Sequence, residues 1–353
     1  MTWNTPAPPP AAPYAGGVTT TPQSGLADNY GRVATDLRVS LTDRCNLRCT
    51  YCMPEEGLDW LAKPELLTDD EIVRLVSVAV TRLGVDEIRF TGGEPLLRRG
   101  LVGIVERTTS LQPRPQVSLT TNGIGLARQA EALRAAGLDR VNVSLDTIRQ
   151  DTFQQLTRRD RLNDVLAGLA AAHAAGMAPV KVNAVLMRGV NDEHAPELLQ
   201  YCLDHDYELR FIEQMPLDAQ HGWDRSTMIT ADEILARLSE QFTLTPTDAA
   251  TRGSAPAESF TVNGGPATVG IIASVTRPFC GDCDRVRLTA DGQVRDCLFA
   301  RKESDLRTAL RAGADDDELA AAWRTAMRGK LPGHGIADPS FLQPVRPMSA
   351  IGG

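Results

Sequence analysis

Three cysteines on one short segment are the residues of this sequence best suited to metal chemistry. Cys45, Cys49 and Cys52 follow the spacing C-x3-C-x2-C, directly after the apolar, strand-like run Leu37–Thr42. Soft thiolates suit iron–sulfur clusters, and three of them can hold three irons of a [4Fe–4S] cluster. The fourth iron is then open to a substrate or cofactor, which favours a catalytic cluster over a purely electron-carrying one. Structural zinc needs four ligands, so a zinc site on these three cysteines is the weaker alternative.

A second group of cysteines lies towards the C-terminus. Cys280, Cys283 and Cys297 follow the spacing C-x2-C-x13-C, for which a structural zinc knuckle stays open as an alternative. Arg285 and Arg287 occupy alternate positions of a strand-like run between these cysteines, so their side chains point the same way. Paired guanidinium groups suit a phosphate or a carboxylate. An iron–sulfur cluster with one open iron beside them predicts a site for an anionic substrate.

The composition limits the classes of function that need be considered. The chain has 353 residues, of which 42% are hydrophobic and 23% charged, and a formal net charge of −8. This charge argues against non-specific binding to nucleic acid or to an anionic membrane, so a phosphate-bearing substrate needs locally concentrated arginine and lysine. No apolar stretch reaches the roughly 20 residues of a membrane span, and no secretory signal is evident. Six of the 7 cysteines fall in two groups, which indicates metal ligands in a reducing, cytoplasmic setting rather than disulfides.

The elements that must position these groups alternate between strand and helix. Apolar runs with strand character predict strands at Leu37–Thr42, Glu87–Thr91, Gln116–Thr121, Arg140–Leu145, Val180–Leu186 and Glu208–Glu213. Helical periodicity between them predicts helices at Asp69–Leu83, Leu126–Ala136, Leu162–Ala175 and Ala195–His205, with a capping box that begins at Thr68. Six such βα units predict an α/β fold with a parallel sheet curled into a partial, incomplete TIM-like barrel.

We expect three segments along the chain. Residues 1–30 are rich in Pro and Ala and predict a disordered extension. Residues 31–225 hold the partial barrel, and residues 226–353 form a C-terminal α+β extension that carries the second cluster and ends in a Gly-Gly tail. In that last segment we predict helices at Ala231–Glu240, Ser304–Arg311 and Asp316–Met327, and short strands at Ser259–Val262, Ala267–Ser274, Arg285–Leu288 and Val294–Arg295.

Polar and glycine residues recur where the predicted strands end, which is where the active sites of such barrels lie. Thr91–Pro95 carries G-G-E-P, whose glycines let the backbone approach a ligand closely. The other strands carry Thr120–Gly123, Ser144–Asp146, Lys181 with Asn183, and Arg210–Met215. Convergence of these strand ends predicts one shared site. Arg98 and Arg99 are interpreted as solvated charges at the start of a helix.

Taken together, the motifs resemble those of the radical S-adenosylmethionine (radical SAM) superfamily and, within it, of the GTP 3′,8-cyclase family. The resemblance runs from about Asp36 to Gly353 and includes Tyr51 before the third cysteine, T-G-G-E-P, R-F-I-E-x-M, C-G-x-C-x-R-V-R and the terminal Gly-Gly. It implies a lyase that converts GTP to 3′,8-cyclo-7,8-dihydroguanosine 5′-triphosphate at the start of molybdenum cofactor biosynthesis. Three alternatives stay open: another radical SAM enzyme with an auxiliary cluster, a non-catalytic two-cluster electron-transfer protein, and a zinc-stabilised binding module.

The resemblance also implies the cofactors and their ligands, namely two [4Fe–4S] clusters and S-adenosylmethionine (SAM). Cluster 1 is implied on Cys45, Cys49 and Cys52, and cluster 2 on Cys280, Cys283 and Cys297. SAM is implied to contact Tyr51, Gly93, Ser144 and Met215, and GTP to contact Arg38, Arg89, Thr120, Lys181, Arg285 and Arg287, with Arg210 nearby. Catalytic roles are implied for the cluster 1 cysteines, Arg285, Arg287, Gly352 and Gly353. Glu87 departs from the basic residue common in the family at that position.

Partners are implied by the same resemblance. They are GTP as substrate, an electron donor such as flavodoxin or ferredoxin, and cyclic pyranopterin monophosphate synthase as the next enzyme. No nucleic acid or membrane partner is expected, and a homodimer is left open.

Overall fold

The computed structural model describes residues 25–248, 250 and 252–352 of the chain. The predicted disordered extension therefore lies outside the described residues up to position 24, and so does Gly353. Residues 26–34 form a small antiparallel hairpin, because Leu26–Ala27 (β1) pairs with Val33–Ala34 (β2). Leu26 is buried in the hydrophobic core, so regular structure begins a few residues before the expected boundary at residue 31.

The remaining strands and the helices follow in chain order. The strands are Asp36–Ser40 (β3), Glu87–Thr91 (β4), Gln116–Thr121 (β5), Arg140–Ser144 (β6), Val180–Val185 (β7), Glu208–Ile212 (β8), Leu244–Pro246 (β9), Glu258–Val262 (β10), Thr268–Ile272 (β11), Arg285–Leu288 (β12), Gln293–Arg295 (β13) and Ser304–Asp305 (β14). The helices are Asp69–Leu83 (α1), Leu101–Thr109 (α2), Leu126–Ala135 (α3), Gln150–Thr157 (α4), Leu162–Ala174 (α5), Ala195–Asp204 (α6), Ala231–Ser239 (α7), Arg307–Arg311 (α8), Asp316–Arg328 (α9) and Met348–Ile351 (α10).

One sheet gathers all strands from β3 onwards. Within the described residues it has 12 strands in the order β14-β13-β12-β3-β4-β5-β6-β7-β8-β11-β10-β9. Strands β3 to β8 are the six parallel strands predicted from sequence, and each pairs with the next in parallel. The C-terminal segment extends them in parallel at both edges, because β12 pairs with β3 and β11 pairs with β8. The expected boundary after residue 225 thus separates two segments of one sheet, and the division into domains stays a prediction.

Alternation along the parallel strands separates an apolar face from a polar one. On β3, Leu37 and Val39 are fully buried in the hydrophobic core, whereas Arg38 between them faces the other side. The same alternation places Ile88 and Phe90 in the core on β4 and leaves Arg89 on the polar side. The apolar face is covered by helices, as expected for βα units, so the polar face is free to line a site.

The predicted helices and strands agree with the observed bounds to within two residues, with one exception. The helix expected over Ser304–Arg311 begins only at Arg307, because Ser304 and Asp305 pair with β13 and form β14. The C-terminal tail, for which no element was predicted, contains the short helix Met348–Ile351. No helix in the described part of the chain has the length and apolar composition that crossing a membrane requires.

Candidate active site at the carboxyl ends of the parallel strands

A single cavity of about 270 Å³ lies on the polar side of the sheet. All eight parallel strands contribute lining residues, including Arg38, Arg89, Thr120, Ser144, Asn183, Arg210, Ile272 and Arg287. Strands as far apart in the sheet as β12 and β11 can line one cavity only if the sheet is strongly curved. This arrangement confirms the partial barrel and the convergence of strand ends that the sequence predicts.

The first cysteine loop is held by the T-G-G-E-P loop after β4. Gly93 N donates to Thr42 O at 2.7 Å, and Glu94 N donates to Arg44 O at 2.7 Å. A Cβ atom at Gly92 would lie 2.5 Å from Thr42 O, and one at Gly93 would overlap Arg44 O. From sequence, these glycines were expected to allow close approach of a ligand. In the structure, the group that approaches them most closely is the backbone of the cysteine loop itself.

Glu94 is a buried carboxylate that ties this loop to the end of β5. Its oxygens accept hydrogen bonds from Leu96 N at 2.9 Å, Thr121 Oγ1 at 2.7 Å and Asn122 N at 2.7 Å. Burial raises the pKa of Glu94 to about 7, against the effect of these donors. The Asn122 amide in turn lies 3.8 Å from Cys45 Sγ. Glu94 therefore acts on the cysteine loop from within the protein and does not face the cavity.

The thiols of Cys45, Cys49 and Cys52 suit a bound iron–sulfur cluster. Burial raises the pKa of Cys45 to about 11 and that of Cys52 to about 12, and it raises the pKa of Cys49 as well. The negative charge of one thiolate also raises the pKa of the next, which shows that the three sulfurs lie within electrostatic reach of one another. Thiols with a raised pKa are protonated at neutral pH, and binding of a metal displaces the proton.

Cluster ligands need not converge on one point. Among the described residues, no three His, Cys, Asp or Glu side chains are gathered as ligands of a single metal ion would be. Cysteines that bind a [4Fe–4S] cluster each hold a different iron, so they are spread around a larger group.

Tyr51 connects the first cysteine loop to the cavity. Its hydroxyl donates to Asp146 Oδ2 at 2.7 Å, and Asp146 Oδ1 accepts from Val185 N at 2.8 Å. Burial raises the pKa of Asp146 to about 6. Tyr51 and Asp146 line the cavity together with the predicted SAM contacts Ser144 and Met215.

Five arginines point into the cavity, namely Arg38, Arg89, Arg210, Arg285 and Arg287. Arg287, Arg38 and Arg89 are directly registered neighbours on β12, β3 and β4, so three like charges stand side by side. Asp36 offsets part of this charge, with Oδ2 at 3.8 Å from Arg38 Nε and 3.6 Å from Arg89 Nη2. Burial lowers the pKa of Arg210 and of Arg287 to about 10.

These arginines retain unused hydrogen-bonding capacity. Arg38 Nε, Arg89 Nε, Arg210 Nε and Arg285 Nη2 are buried and have no hydrogen-bond partner, and the same holds for Asn183 Oδ1. Buried polar atoms in proteins normally have a hydrogen-bond partner. Guanidinium nitrogens without one, gathered around one cavity, therefore indicate an anionic ligand that accepts their hydrogen bonds.

The second cysteine group lines the same cavity. Burial raises the pKa of Cys280 and of Cys297, as it does in the first loop. Cys283 differs: burial raises its pKa, but the charges of Arg285 and Lys330 outweigh burial and bring the value to about 7. The three thiols again act on one another electrostatically, so they too can surround one iron–sulfur cluster.

The C-terminal tail enters the site through Gly352. Arg287 Nη1 donates to Gly352 O, and Met348 N, at the start of α10, donates to Leu217 O at 3.0 Å. Gly352 has φ of 77° and is buried, and a Cβ atom there would lie 2.5 Å from Ser40 Oγ. Gly353, the other predicted glycine of this pair, lies outside the described residues.

Lys181 and Glu87 form ion pairs that the sequence did not indicate. Lys181 does not belong to the residues that line the cavity, and its Nζ forms an ion pair with Glu208 at 2.8 Å. Glu87 accepts from Arg89 Nη2 at 2.9 Å and also pairs with Arg140, so a carboxylate joins two arginines at the amino ends of the strands.

The interpretation of Arg98 as a solvated charge is wrong. Its guanidinium donates to Leu41 O at 2.7 Å, to Leu67 O at 2.8 Å and to Asp69 Oδ1 at 2.6 Å. It thereby joins the end of β3 to the start of α1. Tertiary contacts of this kind leave no trace in local sequence.

Several lining residues were not found by sequence reasoning. They are Asp296, Phe279, Phe299 and His334, and Asp146 was noted only as part of a strand end. His334 Nδ1 accepts from Ile336 N at 3.1 Å, so Nε2 is the nitrogen left to donate to Ser274 O at 3.1 Å. Single histidines and aromatic residues carry no spacing pattern, whereas the alternation of Asp36 with Arg38 on β3 was a signal that could have been used.

Comparison with known proteins agrees with this geometry. Residues 39–202 match the family model described as the Radical SAM superfamily, and residues 207–336 match the one described as Molybdenum Cofactor Synthesis C. The fold and site thus define a radical SAM enzyme. GTP 3′,8-cyclase of Streptomyces coelicolor is 71% identical over 328 residues, which cover 93% of this chain and 96% of that protein. The GTP 3′,8-cyclase of Mycolicibacterium smegmatis is 62% identical over 344 residues, covering 96% and 94%. The chain belongs to the GTP 3′,8-cyclase family.

Solved structures support the fold. Streptococcus suis SuiB bound to S-adenosylmethionine matches with a TM-score of 0.55 at 15% identity, over 84% of this chain and 68% of SuiB. Native anSMEcpe with bound AdoMet matches with a TM-score of 0.58 at 15% identity, over 85% of this chain and 82% of that chain. At this level of identity the likeness concerns the radical SAM fold alone.

Proposed function

We propose that this chain converts GTP to 3′,8-cyclo-7,8-dihydroguanosine 5′-triphosphate, the first step of molybdenum cofactor biosynthesis. The observation that carries the proposal is this cavity, which brings Tyr51 of the first cysteine loop, the second cysteine group and five arginines together. Arg210, Arg285 and Arg287 are buried, and Arg38 and Arg89 are half-buried. Electron transfer alone does not require a cavity lined with guanidinium groups whose nitrogens lack hydrogen-bond partners. The curated relatives named GTP 3′,8-cyclase support the same activity.

The proposed cofactor ligands follow from the two cysteine groups. Cys45, Cys49 and Cys52 hold one [4Fe–4S] cluster, and Cys280, Cys283 and Cys297 hold the other. Tyr51, Gly93, Ser144 and Met215 contact SAM. When bound, these groups supply the reductive cleavage of SAM that produces a 5′-deoxyadenosyl radical. The protein itself positions the reactants and excludes water.

The proposed role of the arginines is to bind and orient GTP. Arg38, Arg89, Arg210, Arg285 and Arg287 supply fixed positive charge on neighbouring strands, which matches a triphosphate better than separate flexible lysines would. Thr120 offers a hydroxyl to the same cavity. Lys181, whose Nζ pairs with Glu208 at 2.8 Å, is proposed as a further contact of GTP. If Cys280, Cys283 and Cys297 held the second cluster, one of its irons would lack a protein ligand and could bind the guanine end of GTP.

The tail completes the proposed catalytic group. Gly352 accepts a hydrogen bond from Arg287 through its carbonyl oxygen, and we propose a catalytic role for Gly353, the next residue of the chain, as well. Glycine has no side chain, so its backbone can approach the buried Arg287 closely.

Partners and compartment are part of the proposal. The reaction needs an electron donor, for which flavodoxin or ferredoxin is proposed, and its product passes to cyclic pyranopterin monophosphate synthase. Cysteines that are not joined in disulfides suit a reducing compartment, for which we propose the cytoplasm.

Two cysteine variants test the proposal. The enzyme reconstituted anaerobically should hold about eight irons, on the four-iron model of each cluster. Cys49→Ala should abolish SAM cleavage, whereas Cys283→Ala should retain some uncoupled cleavage and make no cyclised nucleotide. Normal cyclisation by the Cys283 variant, or zinc in place of iron at the second site, would contradict the assignment.

A further inference from the structure

Lys330 lies buried against the second cysteine group, although neither the motifs nor the cavity lining includes it. Lys330 comes two residues after the end of α9, and the residue is only 3% exposed. Lys330 Nζ donates to Arg285 O at 2.9 Å and to Cys283 O at 3.4 Å, and it lies 3.5 Å from Cys283 Sγ. The ammonium group therefore contacts a proposed cluster ligand directly.

A buried ammonium needs a compensating negative charge. The contacts of Lys330 Nζ go to two carbonyl oxygens and one sulfur, and only the sulfur can carry a full negative charge. Three thiolates on a [4Fe–4S] core give the cluster a net negative charge, and reduction makes that charge larger. A loaded second site therefore supplies the counter-charge that the lysine needs.

The two cysteine groups differ in the charges around them. The first group has the carboxylates of Glu94, Asp146 and Asp218 around its thiols, with Arg48 as a cation that acts on Cys45. The thiols of the second group are instead surrounded by cations, which are Arg32, Arg285, Arg287 and Lys330. Arg32 also donates to Cys280 O at 2.7 Å, but Asp28 offsets its charge in a salt bridge. Lys330 forms no such salt bridge among the described residues, although its charge also acts on the nearby Asp296 carboxylate, whose pKa burial raises and Lys330 lowers.

We propose that Lys330 is the fixed counter-charge of the second cluster, a positioning residue that binds the cysteine loop and favours the reduced form of that cluster. The proposal rests on the proposed function, because it assumes that Cys280, Cys283 and Cys297 hold an iron–sulfur cluster. Reduction adds one electron from the donor and breaks no bond. A positive charge held 3.5 Å from a ligand sulfur stabilises the added negative charge.

The test compares three variants in the reconstituted holoenzyme. Lys330→Gln removes the charge but keeps an N–H donor for Arg285 O, whereas Lys330→Arg keeps the charge. Lys302→Gln is the matched control, because Lys302 is an exposed lysine in the segment after Cys297 and its loss changes the net charge equally. The midpoint potential of the second cluster is measured by EPR-monitored redox titration in a Cys49→Ala background, where the first cluster lacks a ligand.

The proposal predicts a more negative midpoint potential for the Lys330→Gln variant, with Lys330→Arg and Lys302→Gln close to the parent. An unchanged potential in Lys330→Gln, or an equal shift in Lys302→Gln, would overturn it. If the Lys330→Gln variant does not bind the second cluster but the Lys330→Arg variant does, the result supports the role of the positive charge. If neither variant binds the cluster, Lys330 serves packing alone and the proposal is overturned. A parent enzyme without a second iron–sulfur cluster would instead refute the proposed function, before any lysine variant is measured.

Discussion

Gly352 is the residue at which backbone conformation and the site are most closely coupled. Its φ of 77° favours glycine, and a Cβ atom would lie 2.5 Å from Ser40 Oγ and 2.6 Å from Thr91 Cγ2. Gly352→Ala should therefore displace the tail from Arg287 and lower the rate of GTP cyclisation by roughly a hundredfold, as small displacements of positioning groups can do. Product formation under anaerobic, reducing conditions measures this loss.

Gly313→Ala is the matched control for the Gly352 variant. Gly313 also has a positive φ, 91°, but a Cβ atom there would meet no heavy atom within 4 Å. The control thus shares the backbone strain and lacks the steric conflict. Iron content and SAM binding should stay normal in both variants. Full cyclase activity of Gly352→Ala would mean that the tail is only a terminus.

Arg287 joins the tail to the proposed GTP site. It lines the cavity, stands in register with Arg38 and donates to Gly352 O. Loss of a charge-assisted hydrogen bond costs about 1.5–3 kcal/mol, so Arg287→Ala should weaken GTP binding by roughly ten- to a hundredfold. Anaerobic titration with GTP measures the change, and Arg82→Ala on the exposed end of α1 serves as the control. Equal affinity for GTP in the Arg287 variant would remove this residue from the site.

Sequence pattern was most informative for residues with a fixed spacing. The cysteine groups and the alternating arginines could be assigned because metal ligation and strand geometry require those intervals. Glu94 and Arg98 could not, because each acts through buried hydrogen bonds to segments that are distant in sequence. Lys330 was missed for the same reason: a single lysine after a helix predicts only a solvated charge.

At the scale of elements, hydrophobic periodicity and capping residues were enough to predict the helices and strands of the segment in which the two alternate. Helix α1 begins and ends as predicted, because Thr68 and Glu71 form the capping box and Gly84 ends the helix in a left-handed conformation. Strands β4 and β5 also have the predicted bounds. Strand β14 was missed because its two residues depend on pairing with β13, and no local periodicity marks so short a strand.

Glu213 fixes how β8 is joined to the elements that follow it. Its buried carboxylate accepts hydrogen bonds from Ala231 N at 2.8 Å, Val275 N at 2.8 Å, Thr276 N at 2.9 Å and Thr276 Oγ1 at 2.5 Å. A glutamine cannot accept all of these, because its amide nitrogen is a donor. Glu213→Gln should therefore lower the free energy of unfolding by about 1–3 kcal/mol.

Urea unfolding of the Glu213 variant checks this prediction against Glu240→Gln, which makes the same change at an exposed position at the end of α7. A urea midpoint equal to that of the control would show that the Glu213 carboxylate does not stabilise the fold.

At the scale of the whole molecule, the unexpected feature is the extension of the barrel by the C-terminal segment. Strands β11 and β12 pair in parallel with β8 and β3, at opposite edges of the six predicted strands. The sequence analysis placed this segment in a separate α+β extension. Pairing between strands so far apart in the chain, such as β3 with β12, depends on the tertiary fold and leaves no local pattern. This pairing is what brings Arg285 and Arg287 beside Arg38 and so unites the two halves of the site.

The central claim is that both cysteine groups serve one reaction on GTP in one cavity. The most direct measurement is an anaerobic incubation of the reconstituted enzyme with SAM, a reductant and GTP deuterated at the ribose 3′ position. The new bond at C3′ requires loss of the 3′ hydrogen, for which the proposed 5′-deoxyadenosyl radical is the acceptor. We therefore expect deuterium in the 5′-deoxyadenosine formed and a cyclised nucleotide that has lost the 3′ deuterium, both detected by mass spectrometry. SAM cleavage without transfer of deuterium, with GTP recovered unchanged, would contradict the account.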